Sequence, residues 1–178
     1  VAGAGFINFK LNPLYITKII ETVEKEGDRF GQSDYGKQRS VNVEYVSANP
    51  TGPMHMGNAR GGALGDCLAN ILSLAGFSVT KEFYVNDAGN QIEKLAVSLL
   101  ARYKQAILGE DAVEFPEDGY HGDDVKEHAK NFAQKYGESF INAPEEELKE
   151  KLIDETLYKN IDALKTGLSS YGINYDVW

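Results

Sequence analysis

One histidine and three asparagines stand close to a run of small residues in VEYVSANPTGPMHMGNARGGALGDCLAN, residues 43–70. His55 precedes Gly57 and Asn58 after the stiff turn Asn49-Pro50-Thr51-Gly52-Pro53. An apolar run before the turn (Val41, Val43, Tyr45, Val46) reads as a core strand. The small residues after it read as the first turns of a helix. The end of a parallel strand leading into a helix N-terminus suits chemistry on a phosphate, because free N–H groups and a partial positive charge attract anions there. His55 at that mouth can reach a docked anion, and Gly57 has no side chain to keep a ligand off the backbone. Gly61, Gly62 and Gly65 lower helix propensity, so close approach to a sheet or a nucleotide is their expected reason. The bland alternative is a small-residue helix packed on a sheet, with His55 an ordinary loop residue.

Glu44 is the second residue with chemistry. A carboxylate in an otherwise apolar strand is costly unless paired, and a guanidinium is a fitting partner because its planar fork matches a carboxylate. A guanidinium substrate could supply it. So could Arg39 or Arg60, and a strand edge facing water would need no partner. Asp87 reads as a helix N-cap. Arg60 and Asp66 read as structural. His121 and His128 lie among Asp123, Asp124 and Glu127, but no ligand spacing supports a metal, and a solvated acidic face is expected. Cys67 reads as core. There is no G-x-x-x-x-G-K-[ST] loop, and Gly3-Ala4-Gly5 lacks the third glycine of the dinucleotide fingerprint.

The elements that must position these groups follow the chain. Residues 6–11 alternate and predict a strand. Asn12-Pro13 predicts a helix start, and Ile16, Ile19, Ile20 and Val23 give it an apolar stripe ended by Gly27. Residues 28–40 are polar and read as a linker. Strand 41–47 leads to helix 57–75, with Leu64, Cys67, Leu68, Ile71, Leu72 and Ala75 as its expected buried face. A second strand carries Phe77, Val79, Phe83 and Val85, and the next helix carries Ile92, Leu95, Ala96, Leu99, Leu100 and Ile107. This β-α-β-α order predicts an α/β, Rossmann-like parallel sheet with flanking helices. Ala129, Phe132, Ala133 and Tyr136 predict a helix that Asp123 or Asp124 caps. Pro144 and Glu145-Glu146-Glu147 start a long helix through about residue 170, and residues 173–178 begin another strand.

Composition bounds the rest. The 178 residues suffice for one good core with a small appendage. Net charge is −9; residues 1–42 carry six basic and five acidic groups, so any contact with RNA backbone is best placed there. No apolar run is long enough to span a bilayer, no signal peptide is visible, and a single cysteine forms no intrachain disulfide. A cytoplasmic setting and a monomer are expected. The chain opens on Val, which suggests an excerpt or a processed product.

The order of Ser-Ala-Asn-Pro-Thr-Gly-Pro, His-Met-Gly-Asn and Ala-Arg-Gly-Gly-Ala resembles class I aminoacyl-tRNA synthetases, and within them the arginyl-tRNA synthetases. Tyr84-Val85-Asn86-Asp87-Ala88-Gly89-Asn90-Gln91-Ile92 and Gly3-Ala4-Gly5-Phe6-Ile7-Asn8-Phe9 are similar to the same family in the same order. The resemblance implies ATP-dependent activation of arginine and its transfer to tRNA, with Mg2+ accompanying ATP and no protein metal site. It places His55 and Asn58 at the two histidine positions of the HIGH motif, with His55, Gly57 and Asn58 contacting ATP. It assigns Glu44, Ser47 and Asn49 to arginine, and turns Asp87 and Gln91 toward the same cleft. Asn58 departs from the pattern: it donates a hydrogen bond but never carries charge. The lysine-containing KMSKS-type loop, the anticodon-binding domain and part of the arginine pocket are not in the sequence, and Gly52 stands where some family members have a lysine. The implied organisation is the end of an N-terminal added domain plus linker over 1–40, then the first half of a catalytic domain over 41–178, with an acidic helical insertion at about 101–145. Such a piece alone is expected to be inactive. The alternatives are an HxGH-type nucleotidyltransferase, which does not require Glu44 or the Asn86–Asn90 run, and a non-catalytic RNA-binding or assembly module.

Overall fold

The computed structural model describes residues 3–178. The elements run α1 (Pro13–Glu26), β1 (Ser40–Glu44), α2 (Met56–Leu74), β2 (Ser78–Glu82), α3 (Asn90–Leu108), α4 (Asp123–Tyr136) and α5 (Glu145–Ser170), with short 3-10 turns at Gly27–Arg29 and Glu110–Ala112. β1 and β2 pair in parallel, Ser40 opposite Ser78 through Glu44 opposite Glu82, with α2 as their crossover. A single parallel bridge from Glu82 to Val177 extends the sheet on the far side of β2, where the predicted last strand begins. The α/β class with a small parallel sheet and flanking helices is therefore observed.

Two cores form. The first is helical: Leu95, Leu99 and Tyr103 of α3, Val125, Ala129 and Phe132 of α4, and Leu148 and Leu152 of α5 are all nearly inaccessible. Tyr103 donates its buried hydroxyl to the Gly137 carbonyl at 2.7 Å, so its polar end is satisfied. The second core backs the sheet and is aromatic. Tyr45 lies 4.6 Å from Tyr175, and Phe83 stacks on Trp178 at 4.3 Å, over Leu164, Leu168 and Ile173.

Several expectations change. Residues 7–12 carry no regular structure and Phe6 makes one bridge, so the alternating 6–11 segment is no strand among the described residues. Ile7, Phe9 and Leu11 are exposed, and a strand needs a neighbouring edge to bury such side chains. α1 forms where expected, with the Asn12 side chain accepting from Leu14 N–H and Pro13 in the first turn, yet its apolar stripe is exposed. Residues 33–39, read as a linker, clasp the end of α2: Ser33 N–H reaches Leu74 C=O at 2.9 Å, and Gly36 N–H reaches Ala75 C=O at 2.7 Å.

α2 buries a face displaced from the one expected, of which only Leu72 and Ala75 are half-buried. Leu64, Leu68 and Ile71 are exposed, as is Cys67, while Gly62, Gly65 and Ala69 are buried. A Cβ on Gly65 would overlap the Tyr45 ring, and one on Gly62 would stand 2.8 Å from Ile173 Cδ1. The close-approach reading of these two glycines holds; Gly61 has open space around it. Asp87 is not a cap. α3 starts later, at Gly89 with φ +89° and no side-chain cap. Gly122, not Asp123 or Asp124, precedes α4, and both acids lie inside its first turn, where they favour the dipole.

Candidate functional site

The site begins where β1 stops. Val46 and Ser47 have φ of +67° and +42°, a region costly for a β-branched residue. Ser47 N–H closes on Tyr45 C=O at 3.0 Å, a tight three-residue turn. Tyr175 donates its hydroxyl to the same Tyr45 carbonyl at 3.0 Å. The reversal aims Ser47 Oγ at the end of β2, where it accepts from Tyr84 N–H at 3.1 Å. Residues 48–54 then cross to α2.

His55 is the N-cap of α2. Its Nδ1 accepts from Gly57 N–H at 3.1 Å, and its own N–H donates to Asn58 Oδ1 at 3.1 Å, a reciprocal capping box. Three consequences follow. An imidazole accepting at Nδ1 carries its proton on Nε2, which faces outward as a donor. Asn58, accepting at Oδ1, keeps Nδ2 free to donate. The amides of Gly57 and Asn58 are already used, the latter by His55 C=O at 2.9 Å, so side chains rather than those amides offer the free donors. Gly57 also has a local reason: a Cβ there would stand 2.9 Å from His55 Cε1. The space read as room for a ligand holds the histidine's own ring.

A cavity of about 420 Å³ opens beside this cap, lined by Asn49, Thr51–His55, Asn58, Gln91, Tyr120 and Asp124 among others. It brings together His55, Asn58, Asn49 and Gln91 of the expected residues, and Asn49 Nδ2 donates to Gln91 Oε1. Glu44, Ser47, Gly57 and Asp87 do not line it. Glu44 is exposed, opposite Glu82 in register. It lies on the sheet face away from Tyr45 and α2, since alternate residues point to opposite faces. It forms no ion pair with Arg39 or Arg60. Asp87 is exposed in the segment before α3.

Tyr120 and Asp124 were not anticipated, because they come from the stretch before and at the start of α4, far along the chain and in an acidic context that reads as solvated surface. A second cavity, of about 570 Å³, shares Gly52, Pro53, Met54 and Asp124 with the first and is lined by His128 and Asn160.

Asp66 is structural, as expected. Lys81 Nζ lies 2.7 Å from its Oδ1, Asn70 Nδ2 donates to its Oδ2 at 2.8 Å, and Tyr45 hydroxyl donates at 3.3 Å. Burial opposes its ionisation, but the Lys81 bond and charge hold the carboxyl below the usual range. Burial, then the Asp66 charge, pushes the Tyr45 phenol upward. Among the described residues no group of three or more His, Cys, Asp or Glu side chains is placed to hold a metal, and no helix is long and apolar enough to cross a membrane.

Residues 19–177 match the family model described as tRNA synthetases class I (R), catalytic domain. The arginine–tRNA ligase of Ruminiclostridium cellulolyticum is 54% identical over 177 residues, covering 99% of this chain and 31% of that protein. That of Acetivibrio thermocellus is 52% identical with the same coverage. A solved structure described as a putative arginyl tRNA synthetase from Campylobacter jejuni aligns at TM-score 0.79 and 35% identity, over 94% of this chain and 36% of that one. The chain thus spans about a third of the length of the curated relatives it matches.

Proposed function

Since the chain belongs to the class I tRNA synthetase (R) catalytic-domain family, we propose that it carries the ATP-handling part of an arginine–tRNA ligase. In the whole enzyme ATP and arginine form arginyl-adenylate, and the arginyl group passes to tRNA. The observation that carries this reading is the His55–Gly57–Asn58 cap beside the cavity at the end of β1.

Activation joins a carboxylate to the α-phosphate and expels pyrophosphate, so both reactants bring negative charge to one point. What helps is fixed donors that need no reorganisation. His55 Nε2–H and Asn58 Nδ2–H are such donors, each held by the bond its other atom makes to the helix start. The N-terminal end of α2 adds its partial positive charge. Asn58 supplies direction without charge. Mg2+ bound with the nucleotide would offset phosphate charge, and Asp124, the one carboxylate lining the cavity, would be the side chain to hold it. Glu44, Ser47 and Asn49 are assigned to arginine, with Glu44 offering its unpaired carboxylate to the guanidinium. Gln91 and Asp87 are assigned to the rim of the same cleft. tRNA contacts fall mainly outside this chain, whose relatives are three times as long, and the chain by itself is expected not to aminoacylate. The proposed setting is a cytoplasmic monomer.

Calorimetry of the chain with a non-hydrolysable ATP analogue, then with arginine or lysine added, tests this. The expected result is analogue binding weakened at least tenfold by His55→Ala, and a preference for arginine over lysine that Glu44→Gln abolishes. Equal weak binding of both amino acids before and after Glu44→Gln would overturn the arginine assignment.

A further inference from the structure

The loop that delivers His55 has little of its own to hold it. Between residues 48 and 54 no backbone group bonds to another backbone group among the described residues, and Pro50 and Pro53 have no N–H to offer. Side chains from distant helices do the holding. Gln91 of α3 accepts from Asn49. From the middle of α5, Asn160 Nδ2 donates to Pro50 C=O at 2.8 Å. Asn160 is 8% exposed and Pro50 is almost wholly buried. Asn160 Oδ1 in turn accepts from His128 Nε2 of α4 at 2.9 Å, which fixes the orientation of the amide. His128 Nδ1 is buried without a partner, so this ring has one bond to give and gives it to Asn160.

The position of Asn160 in α5 shows that packing alone does not account for it. The buried face of this helix repeats every four residues: Leu148, Leu152, Thr156, Asn160, Leu164, Leu168. A leucine at 160 would continue the stripe, fill a similar volume and favour the helix more. A carboxamide there costs desolvation unless both its ends are bonded, and both are: one to the loop, one to α4.

We propose that Asn160, oriented by His128, is a positioning residue for His55, and that helices α4 and α5 hold the nucleotide loop in place through it. The proposal rests on reading the cavity beside His55 as a nucleotide site. Asn160 touches no reacting group. It fixes the carbonyl five residues before His55, in a segment with no ladder to fall back on.

Asn160→Asp separates this role from general stability. It keeps the acceptor for His128 and loses the donor to Pro50. The probes are ATP-analogue affinity by calorimetry, the imidazole 15N resonances of His55, and the thermal midpoint, with Leu152→Ala on the same helix face as the stability control. The expected result is an affinity at least tenfold lower and displaced His55 resonances for Asn160→Asp. Leu152→Ala should lower the midpoint as much or more, with affinity and His55 resonances unchanged. Should Asn160→Asp fail to fold, His128→Leu and His128→Gln decide. The first should weaken the analogue about threefold and shift His55. The second, which still has an N–H for Asn160, should restore both. Affinity within twofold of the original chain and unmoved His55 resonances, in Asn160→Asp or in His128→Leu, would overturn the proposal. If the unaltered chain binds no analogue, the nucleotide reading falls, and the His55 resonances alone decide the positioning role: displaced, it stands; unmoved, it fails.

Discussion

The helical half and the sheet half of the molecule are built on different terms. In the first, α3, α4 and α5 enclose Leu99, Tyr103, Phe132 and Leu148 on all sides. In the second, two short strands and one bridge carry an aromatic cluster on the side where α2 packs. The outer face of α2 is bare apolar surface, with Leu64 73% and Ile71 62% exposed. A sheet of two strands is marginal by itself; here α5 reaches across with Leu164 and Leu168 to back it. The helical region therefore acts as a scaffold, and the loop that leads to His55 sits at its seam with the sheet, fastened from the helical side.

Truncation in the closed core is the harshest test of that contrast. Phe132→Ala should cost about 3–5 kcal/mol and lower the denaturant midpoint sharply. A loss below about 1 kcal/mol would show that the helical half is loosely packed. Next comes the α2–sheet contact. Gly65→Ala forces a methyl into the Tyr45 ring and should cost about 1–3 kcal/mol. Gly61→Ala on the same helix meets open space and should stabilise by up to about 1 kcal/mol; equal effects from the two would mean that α2 does not lie against β1.

Acid offers a third comparison, since each half has a depressed carboxyl. Asp66 is held down by Lys81 against the opposing effect of burial, and Glu155 by Tyr136 and Lys135 against the same effect. A carboxyl lowered in the folded state contributes stability above its unfolded value, and loses it as pH falls through the folded value. Unfolding midpoints measured from pH 6 to pH 3 should thus fall less steeply for Asp66→Asn than for the unaltered chain; parallel curves would remove the Lys81–Asp66 pair from the stability of the sheet half. The smallest effect belongs to the bare face of α2. Leu64→Ser should change stability by less than about 0.5 kcal/mol, and a larger loss would show that the chain covers that face itself in solution.

Where side-chain periodicity carried the information, the sequence was easily read. The starts of α1 and α2, the parallel order of β1 and β2, and the long α5 with acids at its head follow from caps, stripes and turn residues. The buried face of α2 did not, because periodicity counts side chains and this helix packs by lacking them. Tyr45 fits where Gly65 leaves room. Asp87 looked like a cap because the short extended run to Gly89 leaves no mark in residue types. At the site, His55, Asn58, Asn49 and Gln91 were legible from motif order and converge on one cavity. Tyr120, Asp124 and Asn160 were not, since they reach the loop only through the way α4 and α5 fold back on it, from about 70 residues further along the chain for the first two and 110 for Asn160.

The tight reversal at Val46 also constrains the sheet. If β1 slid two residues along β2, Val46 would have to join the ladder with a backbone twisted the wrong way for pairing. The reversal is therefore an end-stop: it bars β1 from sliding in that direction and fixes where the ladder ends relative to the turn that leads to His55.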